Sequence, residues 1–256
     1  VQGHLTKFAK HGKSGQWVSD FLPYHAKFID DIAVVRSMVT DQINHDPAHT
    51  MMNTGTAISG RPSFGSWVTY GLGSESEDLP GFVVMTSFAG RNPQPISQRM
   101  WGNGFLLGRF QGVEFNSTVD PVYYLSNPKG VSNAQQRDLV DAVGELDRHR
   151  NAALKNPEVE TRVKQYEMAF KMQASVPSLM DLKGEPKSVL ESYGTQGSDG
   201  SFAANCLLAR RLAQRGVRFI QLYNRDWDHH GGVKDGIKQK VEEIDRPFAA
   251  LIQDLK

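Results

Sequence analysis

Two short runs hold the residue types that hydrolytic or transfer chemistry needs. The first reads Asn44-His45-Asp46-Pro47-Ala48-His49-Thr50. His45 and His49 are four apart, so a helix that begins early carries both imidazoles on one side. Such a pair can share one metal ion, and an imidazole or the Thr50 hydroxyl can serve as nucleophile at a helix N-terminus. The second run reads Asp226-Trp227-Asp228-His229-His230-Gly231-Gly232. Its two carboxylates, two imidazoles and glycines supply hard and borderline ligands on a pliable loop. Each run also has an ordinary reading. Histidines beside a Pro turn often only cap a helix and bond backbone, whereas a purely solvated loop has little need of the second set.

The elements around these runs place them. Residues 21–29 carry apolar groups at helical intervals, and 32–35 are rich in β-branched residues, which predicts a helix and then a short strand leading into the first run. Pro47 suits the first turn of a helix over roughly 49–53. Ser63 can cap a helix reaching Leu72, and Leu79-Pro80-Gly81 introduces a strand over 82–86. Residues 87–133 are rich in Gly, Asn, Pro and Gln with little periodicity, and form a long loop-rich insertion that would wall a site. Helices follow over 134–151, 157–174, 178–182 and 187–193, and a strong one over 202–215 ends at Gly216. Residues 217–223 then read as a strand, 224–232 as a polar loop and 234–256 as a last helix. That order builds parallel βα units, whose chemistry sits in loops at the carboxyl ends of strands. Both histidine runs occupy such loops.

Composition narrows the function classes. The 256 residues include 29 Lys and Arg against 28 Asp and Glu, a formal net charge of +1, with no basic cluster able to neutralise a nucleic-acid backbone. No apolar run approaches the ~20 residues of a membrane span. One cysteine, Cys206, excludes an internal disulfide and a cysteine-rich zinc site, and its place on a helical apolar face reads as a buried thiol. Gly102-Asn103-Gly104 lacks the strand and third glycine of a dinucleotide fingerprint. Arg61 and Arg99 can clamp an anionic substrate, although exposed arginines are commonly only surface charge. The chain starts at Val1 without an initiator Met and stops at Lys256 inside an amphipathic pattern, so the expectation is a domain continuing beyond both ends.

Several strings resemble a known family. They are Asn-His-Asp-Pro-Ala-His at 44–49, Thr-Gly-x-x-x-Ser-Gly-Arg-Pro-Ser at 54–63, Gly-Ser-Trp-Val-Thr-Tyr-Gly-Leu-Gly at 65–73, Leu-Pro-Gly-Phe-Val-Val at 79–84, Trp-Gly-Asn-Gly-Phe-Leu at 101–106, Tyr-Glu-Met-Ala-Phe-Lys-Met-Gln at 166–173, Cys-Leu-Leu-Ala-Arg-Arg-Leu at 206–212 and the Trp-Asp-x-His loop. Together they span 16–256 and resemble the family labelled domain of unknown function 1501, abundant in planctomycetes and related marine bacteria. That family is similar in turn to the alkaline phosphatase and sulfatase superfamily.

The resemblance implies a three-layer α/β/α sandwich with a mostly parallel sheet, here a single partial domain over 1–256 that is incomplete at both termini. It implies a metal-dependent hydrolase of phosphate, sulfate or related esters. Pro47 and Thr54-Gly55, set against the sulfatase signature, put His45 at the nucleophile position and His49 at that of an arginine. A formylglycine sulfatase needs an oxidisable Cys or Ser where this chain has His45. Asp228 and His230 resemble the Asp and His that the superfamily presents to a metal after a central strand. The resulting set is His45, His49 and Thr50 as catalytic residues, Asn44 and Arg61 as substrate-binding residues, and Asp228 and His230 as ligands of zinc, manganese or calcium. A small-molecule or glycan ester is the expected substrate, and an exported or periplasmic location is implied by the resemblance alone. The alternative is a non-catalytic carbohydrate-binding or surface-assembly protein that keeps the fold.

Overall fold

The computed structural model describes residues 3–88, 95–118, 121–123 and 125–256. Its centre is a three-stranded parallel sheet built from β3 (Phe82–Thr86), β4 (Val113–Phe115) and β5 (Phe219–Tyr223) in the order β4-β3-β5, with β1 (Phe8–His11) and β2 (Gln16–Ser19) in a separate hairpin. Residues Phe82 to Thr86 pair in register with Phe219 to Tyr223, and Val83 to Met85 with Val113 to Phe115. Side chains alternate between the faces, as the two-residue period of a strand requires. Val83, Met85, Ile220 and Leu222 join the main core, while Phe82, Val84, Phe219 and Tyr223 pack with Met100 and Trp101 on the other face.

Helices cover both faces. On the main-core side, α6 (Phe202–Gln214) buries Ala204, Leu207, Leu208 and Leu212 against β3 and β5. Its start is fixed by Ser201, whose hydroxyl accepts from the Ala204 N–H, and Gly216 (φ 81°) turns the chain out of it toward β5. The long α7 (Val233–Leu255) runs beside α6, joined through Arg210 and Asp254 (3.0 Å). Outside them lie α3 (Asn133–Leu154), started by a reciprocal Ser132 and Gln135 capping box, and α4 (Pro157–Met180), which opens on Pro157 behind an Asn156 cap. The short α5 (Lys187–Tyr193) buries Tyr193.

On the opposite face, α1 (His45–Thr54) and α2 (Phe64–Leu72) approach the sheet. Gly65 lets α2 come close, since a methyl group there would lie 2.5 Å from the rings of both Phe82 and Phe219. A hairpin of β1 (Phe8–His11) and β2 (Gln16–Ser19) precedes a 3-10 helix, His25–Asp31. Asp30 locks its turn by accepting from the Lys13 and Ser14 N–H groups at 2.7 and 2.9 Å.

Three expectations need correction. Residues 32–35 form no strand but an irregular run up to α1, in no ladder with any strand among the described residues. The stretch 87–133, read as loop, contributes β4 and two 3-10 turns, Gln98–Met100 and Gly108–Phe110, and part of it lies outside the described residues. The helix expected over 178–182 is the last turn of α4 followed by a 3-10 turn at Leu182–Gly184. The result is an α/β fold with a small parallel sheet. Among the described residues no helix is long and apolar enough to cross a membrane.

Candidate functional site

Both histidine runs emerge at one end of the sheet. β5 ends at Tyr223, and the loop after it takes a left-handed conformation at Asp226 (φ 77°), a backbone region that few residues other than Gly, Asn and Asp occupy. Two residues later Asp228 projects toward α1. α1 begins at His45, one turn earlier than its Pro suggested, because Pro47 fits the first helical turn and Asn44 is extended as its N-cap. Gly55 (φ 75°) closes it.

The two loops meet through hydrogen bonds. His45 Nε2 lies 2.9 Å from Asp228 Oδ2, and His230 Nε2 lies 2.8 Å from the same oxygen. These two contacts, His230 first, hold the Asp228 carboxyl below the usual carboxylate range. An ionised carboxylate only accepts, so in both contacts the imidazole Nε2 is the donor. The group is open to solvent, with side-chain exposures of 46% for His45, 30% for Asp228 and 78% for His230. Surface ion pairs of this kind stabilise a fold little, so the triad is not explained by stability.

Below it lies a cavity of about 290 Å³ lined by His45, His49, Ile96, Met100, Tyr223, Asn224, Arg225, Trp227 and Asp228. Its floor is polar and fixed. Tyr223 donates to Asn53 Oδ1 (2.8 Å), Gln221 Nε2 donates to the same oxygen, and burial pushes the Tyr223 phenol up, which keeps it a neutral donor. Trp227 Nε1 donates to Asn224 Oδ1 at 2.8 Å. The His45 and His49 rings are 5.9 Å apart, and His49 Nδ1 is 3.2 Å from the Pro95 carbonyl. Arg99 reaches Asp46 in the first turn of α1, Nη2 to Oδ1 at 2.7 Å.

The remaining sequence candidates lie apart from this cavity. Thr50 is buried and its hydroxyl donates to the Asp46 carbonyl at 2.8 Å, a local helix bond. Asn44 is exposed and makes no side-chain cap bond. Arg61 stacks on Phe105 at 6.0 Å. His229 turns from its neighbours to pack against Gly236 of α7. Cys206 is buried in α6, and burial pushes its thiol up. Sequence reasoning weighed Arg99 as an anion clamp and missed Ile96, Met100 and Asn224 in the cavity lining, and Asn53, which holds Tyr223 from behind. Only Asn224 could have been signalled, by its position first after β5. A larger cleft of about 640 Å³ lies along α4 and β4, is mostly apolar, and does not include this triad.

A family model described as Protein of unknown function (DUF1501) matches residues 1–256. No curated protein and no solved structure matches the chain.

Proposed function

The chain belongs to the family described as Protein of unknown function (DUF1501), and from that premise we propose that the rim where His45 meets Asp228 is the reaction centre of a hydrolase or transferase acting on phosphate, sulfate or related esters. The domain is read as alkaline phosphatase-like, with the loop-rich stretch 87–133 as one wall of the site through Ile96 and Met100. One observation carries the reading: an ionised carboxylate on the loop after β5 orients an imidazole on the first turn of α1 at 2.9 Å.

A carboxylate behind an imidazole fixes its tautomer and stabilises the cation formed when the ring takes a proton. With Nε2–H committed to Asp228, Nδ1 of His45 is the basic atom. It either removes a proton from a water that displaces the ester's alcohol, or attacks phosphorus or sulfur itself, breaking the bond to that alcohol and then passing the group to water or another acceptor. The N-terminal end of α1 favours an anion at the same place, and the pairing of Arg99 with Asp46 offsets the one acidic side chain in its first turn. General-base help of this type contributes ~100- to 10,000-fold. Tyr223, Asn224 and Trp227 shape the cavity that receives the ester.

His45, Asp228 and His230 are also suitable donors for zinc, manganese or calcium. As arranged, both imidazoles direct Nε2–H at the carboxylate, and among the described residues no group of three or more His, Cys, Asp or Glu side chains is disposed to hold a metal ion. No step is therefore routed through a metal.

The exposure of His230 and the openness of the rim favour a second reading, a non-catalytic carbohydrate-binding or assembly protein that keeps the fold. A screen of aryl phosphates and aryl sulfates with zinc, manganese and calcium separates the two. Turnover that His45→Ala abolishes supports the hydrolase; turnover unchanged in that variant removes His45 from the mechanism.

A further inference from the structure

The run between the 3-10 helix and α1, residues 32–44, carries strand-type side chains that point into solvent. Val34, Val35, Met38 and Val39 are exposed, Val39 at 90%. Among the described residues no other irregular run leaves so many β-branched and long apolar side chains exposed together. A run of this kind loses hydrophobic stabilisation in every conformation that leaves it bare.

Its two ends are anchored at opposite ends of the sheet. At the lower end, Asp31 pairs with Lys256 at the close of α7 (2.9 Å). That level is the amino end of the strands. Asp254, two residues before Lys256, pairs with Arg210, four residues before the end of α6, and α6 descends to the turn that starts β5. At the upper end, His45 bonds to Asp228, five residues beyond the carboxyl end of β5. The run must therefore climb from the amino to the carboxyl end of the sheet, the direction in which β5 itself runs. A strand of five or six residues rises ~17–20 Å, and thirteen residues leave slack for turns at both ends.

It also has to pass from one face to the other. α7 belongs to the side of α6, whereas Asn53 of α1 bonds to Gln221 and Tyr223 on the side of α2. β5 is an edge strand, with β3 on one side and no strand on the other among the described residues. Phe219 N–H and the Tyr223 carbonyl bond across to the β3 side, so the alternating Ile220 and Leu222 N–H and C=O groups face the open edge.

We infer that residues 33–39 are a strap that docks along the open edge of β5 as a fourth parallel strand, closing the sheet beneath the site. Handedness agrees. A strand there, followed by α1 and α2 over one face and then β3, moves across the sheet opposite to the β3-to-β5 crossover through α6 on the other face, so both crossovers share one hand. Docking would bury the valines, pair the exposed edge groups and fix the approach of residues 40–44 to His45. It stands apart from the hydrolase reading, since it needs no substrate or ion.

Amide hydrogen exchange on the full chain tests it. With the strap docked, the Ile220 and Leu222 amides exchange ~100-fold or more slowly than unstructured amides, as those of Val83 to Met85 in β3 do. Val35→Pro should release Ile220 and Leu222 while β3 keeps its protection. Free exchange at Ile220 and Leu222 in the unsubstituted protein, with β3 protected, overturns the strap. So does protection that grows with protein concentration, which assigns the edge to a second copy. Should Val35→Pro unfold the chain, the unsubstituted comparison and the dilution series still decide.

Discussion

His45 and Asp228 stand 183 positions apart in the chain and share a hydrogen bond of 2.9 Å. The contact joins the first turn of α1 to the loop after β5, and its acceptor oxygen also receives His230. Replacing the carboxylate by an amide keeps the shape and removes the charge that sets the imidazole tautomer. Asp228→Asn is expected to lower ester turnover by ~100-fold or more with the fold intact. Steady-state rates with an aryl phosphate, beside a circular dichroism spectrum, check it.

The same carboxyl has a pH signature. Its folded pKa lies below the ordinary value of 3.8, with the His230 bond as the largest cause and the His45 bond next. A lowered carboxyl pKa means that the contact is fully present above the ordinary value and is lost as pH falls through the folded one. Carbon-13 detection of the Asp228 carboxyl should show a midpoint below 3.8, and His230→Ala should move it upward. A midpoint at the ordinary value would contradict the hydrogen-bonded triad.

Asp30 offers an independent titration. Bonds from Ser14, and then from the Lys13 N–H, lower its pKa from 3.8 to about 2. Because the folded value is lowered, the hairpin turn should stay locked above 3.8 and open as pH falls through about 2. Asp30→Asn is expected to speed exchange of the Lys13 and Ser14 amides at neutral pH, without altering amides in β3.

Gly65 sets the distance between α2 and the sheet. A methyl group at 2.5 Å from both Phe82 and Phe219 has nowhere to go, since Phe82 is almost fully buried. Gly65→Ala should destabilise the protein by ~1–3 kcal/mol despite the better helix propensity of Ala. Urea unfolding measures it, and a stabilised variant would mean that α2 sits farther out.

Leu207 on α6 is completely buried in the main core. Leu207→Ala is expected to cost ~2–5 kcal/mol, the usual range for a core leucine truncated to a methyl group. The midpoint of chemical denaturation should fall while its slope is kept.

Much of this arrangement could be read from residues in order. Ser63, Ser132, Asn156 and Ser201 stand before their helices and cap them, and Gly216 ends α6, so α2, α3, α4 and α6 were legible from local chemistry. β3 and β5 announced themselves as compact apolar runs bounded by turn residues. The meeting of the His45 and Asp228 loops followed from the rule that parallel strands open their chemistry at one end. What stayed hidden depended on partners distant in sequence. β4 has three residues and is a strand only because β3 lies beside it. Residues 32–35 have strand-type side chains and no ladder, the reverse case. Thr50 looked reactive by type, but a helical hydroxyl can bond back four residues, and the Asp46 carbonyl takes it. Ile96 and Met100 join the cavity through tertiary packing, which no spacing encodes.

Asp245 is buried in α7 and accepts from the Tyr24 and His25 N–H groups at 2.9 and 2.8 Å, while the His25 ring stacks on Phe248 at 4.8 Å. Tyr24 and His25 are thus fastened by a side chain 221 and 220 positions further along. During synthesis Tyr24 and His25 lack this anchor until α7 emerges, so their fastening waits for that helix and is governed by a long-range closure.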